Sequence, residues 1–164
     1  MIFTDEIIDE LISCQKYISE APKSMNATRG SDKIKFSMSS INGEYNFSGF
    51  ISKNQTFQEN FSVGLVYNPK DEKDKIVLLR VNGPHGLNEN APHHDGPHVH
   101  ISTAERINSG LKPEGKIETD VPYATIEDAI QYYLKRVNLD RADCNKYFPG
   151  PDGQINLNFD DIDQ

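Results

Sequence analysis

The residues of this chain best suited to chemistry are its histidines, His85, His93, His94, His98 and His100. All five lie in one run, PHGLNENAPHHDGPHVH, from Pro84 to His100. No histidine occurs elsewhere, so these side chains are gathered into about a tenth of the sequence. Imidazole changes charge near neutral pH and is the usual nitrogen ligand for zinc. The run closes in His98-Val99-His100-Ile101. On a strand successive side chains point to opposite faces, so Val99 and Ile101 face a core while His98 and His100 share the other face, ~7 Å apart at Cα. Two imidazoles at that separation can converge on one ion or one phosphate.

Zinc takes four ligands in a tetrahedron. His98 and His100 offer two. The connection before them carries Gly83-Pro84, Ala91-Pro92 and Gly96-Pro97. Proline fixes φ and stiffens such a loop, which can bring back His85, His93 or His94 as third and fourth ligands. Asp95 can ligate or orient an imidazole. Four protein ligands make a structural site, and three plus water a catalytic one. A metal-free alternative pairs the imidazoles as general base and acid, with Arg80 holding a phosphate. The zinc-peptidase pattern His-Glu-x-x-His, the nucleotide-deaminase pattern, a Gly-rich phosphate loop and a nucleophile elbow are all missing.

The elements that must position these residues read as follows. Residues 4–19 form a helix capped by Thr4, with Asp5 and Glu6 in its first turn and an apolar stripe of Ile7, Ile8, Leu11, Ile12 and Ile18. Ala21-Pro22 ends it, and 23–32 is a polar loop. The period then becomes two. Ile34, Phe36 and Met38 alternate with polar residues, Asn42-Gly43 turns the chain, and Tyr45, Phe47 and Ile51 return, with Gly49 read as a bulge. Phe61, Val63, Leu65 and Tyr67 make a third strand. Ile76-Val77-Leu78-Leu79, apolar on both faces, belongs in the middle of the sheet. Residues 98–102 are the fifth strand and 103–122 are irregular. A second helix runs from Ile126 to Asn138, capped by Thr125, with Tyr133 in the core. The tail, 140–164, is loosely packed or holds a short strand at Ile155, Leu157 and Phe159. The expected fold is a single α+β domain over 1–164. An antiparallel sheet of about five strands has an N-terminal and a C-terminal helix on one face and the histidines on the other.

Composition narrows the function. The chain has 164 residues, 36% hydrophobic and 26% charged, with a net charge of −8. That acidity argues against a general nucleic-acid binder and fits a basic partner, including a protein that normally holds DNA or RNA. An RNA substrate would be repelled except through a local basic patch. No apolar run approaches the ~20 residues of a membrane helix. The acidic start MIFTDEIIDE is unlike a signal peptide, and Cys14 and Cys144 form no CxxC. A cytoplasmic location in a bacterial host cell is expected.

Two resemblances add to this. Arg80-Val81-Asn82-Gly83-Pro84-His85, then Gly96-Pro97-His98-Val99-His100-Ile101, then the helix Ile126–Leu139, resemble a family of small bacterial and phage proteins. More distantly, Asn90-Ala91-Pro92-His93-His94 before His-x-His resembles toxins of the TumE type. This likeness covers roughly residues 76–139. In size, acidity and histidine site the chain is also similar to phage-encoded anti-CRISPR proteins, among them a zinc-containing type II inhibitor. That resemblance implies a stoichiometric inhibitor that blocks DNA loading by a type II effector nuclease, with a zinc ion holding the fold. The toxin resemblance implies a histidine-dependent ribonuclease.

Overall fold

The computed structural model describes residues 1–28, 30–85 and 95–150. Its frame is an antiparallel sheet in which each strand pairs with the next in sequence. In chain order the elements are α1 (Asp5–Ser13), β1 (Lys16–Thr28), β2 (Ser31–Ser40), β3 (Asn46–Asn54), β4 (Phe61–Asn68), β5 (Ile76–Asn82), β6 (His98–Ser102), α2 (Ala104–Asn108), β7 (Glu114–Glu118), α3 (Ile126–Arg136) and α4 (Arg141–Tyr147). The class is α+β as expected. The described sheet has seven strands rather than about five.

The two additional strands are the edges, β1 and β7. Each pairs with another strand on one side only, so neither needs the clean apolar alternation that marks an interior strand. The helix expected over 4–19 stops at Ser13. Beyond it Lys16 pairs with Ser40 and Ile18 with Met38, so Ile18 belongs to the sheet. Pro22 sits in β1 where the register slips between Glu20 and Lys23. An edge strand tolerates a residue with no N–H to donate. Thr4 caps α1 by accepting from the Ile7 amide at 3.1 Å, and Thr125 caps α3 by accepting from Asp128 at 3.2 Å. Asn138, at φ 58°, turns the chain out of α3, the role an asparagine fills at a helix end.

The core lies between the sheet and its helices. Ile34, Phe36, Met38, Phe47, Ile51, Phe61, Val63, Leu65, Leu79, Val81 and Val99 are buried together with Ile8 and Leu11 of α1 and Ile130, Tyr133 and Leu134 of α3. Tyr133 is fully enclosed, meets Phe36 edge-on, and donates to the Gly64 carbonyl at 2.8 Å. Beyond α4, Phe148 is buried against Phe36, with ring centroids 5.2 Å apart. The tail strand considered at Ile155, Leu157 and Phe159 lies outside the described residues.

Gly49 makes no bulge. Its pairing with Phe36 and Leu65 runs without a slip. A Cβ there would stand 2.2 Å from the Phe36 ring, so glycine makes room for an aromatic side chain laid across the strand. Gly64 does the same for Phe50 on the opposite face.

Candidate functional site

β5 and β6 set the site. Arg80 pairs with His100 and Asn82 with His98. Val81 and Leu79 pair with Val99 and Ile101 and fill the helix-side core. The alternation of both strands therefore puts Arg80, Asn82, His98 and His100 together on the face away from the helices. β7 brings Glu114 beside Ser102 at the end of β6. At the other end, the Tyr123 hydroxyl lies 2.9 Å from the carbonyl oxygens of both Asn82 and His98 and ties the strand ends together. Burial pushes the Tyr123 phenol above its ordinary range, so it stays a donor.

The histidine rings form a chain of neighbours. The His98 and His100 centroids are 4.9 Å apart and those of His85 and His98 are 5.1 Å apart. His98 is fully enclosed and His100 is 7% exposed, whereas His85 lies at the surface. Each ring turns its Nδ1 toward an oxygen. For His98 this is the Gly96 carbonyl at 2.8 Å, for His85 the Asn60 Oδ1 at 3.1 Å, and for His100 the Glu114 carboxylate at 3.7 Å. A proton on Nδ1 facing an acceptor leaves the ring's lone pair on Nε2, the nitrogen that ligates a metal or takes up a proton.

Glu114 is the hub of the neighbouring charges. It meets Arg80 at 2.5 Å, and its other oxygen is 3.7 Å from both His100 and Lys112. Burial alone would push this carboxyl up. The Arg80 hydrogen bond and charge, with His100 and Lys112 behind them, reverse that and hold it below its ordinary value. Asn82 is fully buried and its Oδ1 accepts from the Ser62 hydroxyl at 2.6 Å. Two buried donors, Arg80 Nε and Asn82 Nδ2, have no hydrogen-bond partner among the described residues.

His85, His98 and His100 are thus brought together, while His93 and His94 lie outside the described residues. Among the described residues no group of three or more His, Cys, Asp or Glu side chains is placed to hold a metal ion. Asp95 is exposed. Sequence reasoning missed Glu114, Asn82 and Ser62. Glu114 falls in the stretch expected to be irregular, and no local pattern betrays it. Ser62 was findable from strand parity, because the expected strand put it on the histidine face, whereas Asn82 was expected in the loop 82–97 and is instead the last residue of β5.

No protein-family model matches the chain, and no curated protein or solved structure matches it either.

Proposed function

We propose that the histidine segment holds a zinc ion, with His98 and His100 as its fixed pair and the remaining ligands drawn from His85, His93 and His94. The observation that carries this is the spacing and orientation of the rings. At a Zn–N distance of ~2.0–2.1 Å, two imidazoles on one tetrahedral ion have centroids about 5 Å apart. The neighbouring rings stand at 4.9 and 5.1 Å. Their Nδ1 atoms face oxygens, as the outer partners of zinc-bound histidines do. Enclosure of His98 and His100 suits an ion that serves the fold. On this reading the protein works by contact. It is a stoichiometric, acidic inhibitor of a basic nucleic-acid-handling protein, of the kind that anti-CRISPR proteins direct at a type II effector nuclease. The support for the partner is the net charge of −8.

Elemental analysis of purified protein, with melting temperatures before and after chelation, tests the ion. Near-stoichiometric zinc and a drop of about 5 °C or more on chelation are expected, since an ion bound to the native state alone adds its binding energy to stability. Zinc-free protein whose melting does not respond to added zinc would remove the reading.

A second reading, a histidine-dependent ribonuclease, is favoured by the two buried donors, Arg80 Nε and Asn82 Nδ2, on the histidine face. A phosphate oxygen would suit both. It predicts growth arrest on expression that is relieved by His98→Ala or His100→Ala. Harmless expression of the unaltered protein counts against it.

A further inference from the structure

From the charge and shape of the open sheet face we infer a binding platform for single-stranded RNA, independent of whether an ion sits at the histidines. The face runs across the strands as two rows in register. One is Lys35, Phe50, Gly64 and Arg80, and the other is Lys33, Ser52 and Ser62, both stopping short of the enclosed Asn82, His98 and His100. With strands ~4.8 Å apart, the first row together with Lys23 of β1 is about 19 Å long, room for a few nucleotides. β1 extends the first row with Lys23, which pairs with Lys35. Lys75 joins Lys23 and Lys35 around an open depression of about 440 Å³.

The charge on this face opposes that of the whole molecule. Among the described strand residues of this face, Lys23, Lys33, Lys35 and Arg80 stand against the carboxylates of Glu20, which takes the Ser37 hydroxyl, and Glu114, already held by Arg80. The chain as a whole is at −8. Such segregation is the local basic patch that an acidic protein needs to hold a polyanion. Between the lysines lies an aromatic platform. Gly64 has no Cβ, and the half-buried Phe50 ring is laid over it, where a Cβ would come within 2.1 Å. Lys33 Nζ is 4.9 Å from that ring's centroid. An exposed ammonium is held weakly there, so a base can take the ring while the ammonium moves to the adjoining phosphate. A ring flanked by cations on an open sheet is the arrangement that stacks single-stranded bases. The second row supplies the half-buried hydroxyls of Ser52 and Ser62 beside the track, oxygens that can accept from a ribose 2′-OH. These favour RNA over an acidic peptide or DNA.

The test is fluorescence anisotropy of full-length protein with a labelled, unstructured RNA of about twelve nucleotides. Binding is expected at low salt, with a slope of log K on log salt of about −2 for three lysine–phosphate contacts. Lys33→Glu with Lys35→Glu should weaken it about tenfold or more. Phe50→Leu keeps Gly64 covered and should weaken it about fivefold or more. Melting curves of both variants establish that they remain folded. Absence of binding at low salt would overturn the inference, as would affinity unchanged in both folded variants. DNA of the same sequence bound as tightly, or polyglutamate competing as well as RNA, would overturn the choice of RNA. Binding that survives chelation or zinc depletion separates this surface from the proposed ion.

Discussion

Lys16 shows how a single side chain can join elements far apart in sequence. It is fully buried, and its ammonium donates to the carbonyls of Ile12, Cys14 and Val137 at 2.7, 2.8 and 2.8 Å. Those oxygens lie at the C-terminal ends of α1 and α3, where helix dipoles gather negative charge. Burial still dominates and lowers the pKa from 10.5 to about 8. Below the folded pKa, Lys16 is charged in both states and the full burial cost of about 3 kcal/mol is present. Between about 8 and 10.5 the unfolded chain binds more protons, so stability rises with pH across that window. Denaturant midpoints for wild type and Lys16→Met at neutral pH and near pH 10 should show wild type gaining on the variant. A constant gap would show that the ammonium is not confined as described. At this same scale the sequence was informative about His98 and His100. A four-residue alternation placed them on one face, and pairing with Asn82 and Arg80 kept them there. It was silent on Glu114, whose partners Arg80 and His100 are 34 and 14 residues away in the chain.

Elements were legible in proportion to how much of their stability is local. Both capping threonines, Thr4 and Thr125, were readable because a cap needs only three or four consecutive residues. Thr125→Ala should therefore cost about 1 kcal/mol. In a protein of this size that is a fall of roughly 3–4 °C in melting temperature by circular dichroism. No change would mean that α3 is held by its packed face alone. Interior strands were readable from alternation, because both their neighbours demand it. β1 and β7 were not. β1 contains a proline and begins in a stretch with helical periodicity, and only its pairing with β2 decides its state. Gly49 and Gly64 teach a related lesson. A glycine in a strand can mark a bulge or a close approach, and only the Phe36 and Phe50 rings across them choose the second.

For the molecule as a whole, charge is distributed unevenly. Asp5, Glu6, Asp9 and Glu10 crowd α1, which carries no lysine or arginine. The lysines Lys23, Lys33 and Lys35 gather on the opposite sheet face. If an acidic surface carries the proposed inhibition, binding to a basic nuclease should be one-to-one and should weaken steeply with added salt, as titration calorimetry would record. Salt-insensitive binding, or none that displaces DNA, would speak against that partner.

The sequence by itself determined the α+β class, the interior strands, the helix caps and the shared face of His98 and His100. Each depends on residues within a turn or two of one another, where period and cap chemistry act directly. Tertiary structure alone decided the edge strands, the burial of Lys16 between two helix ends, the arrival of Glu114 beside Arg80 and His100, and the basic, aromatic character of the open face. Those features arise when whole strands take up their register and the helices pack on them, and nothing local encodes which residues will then be neighbours.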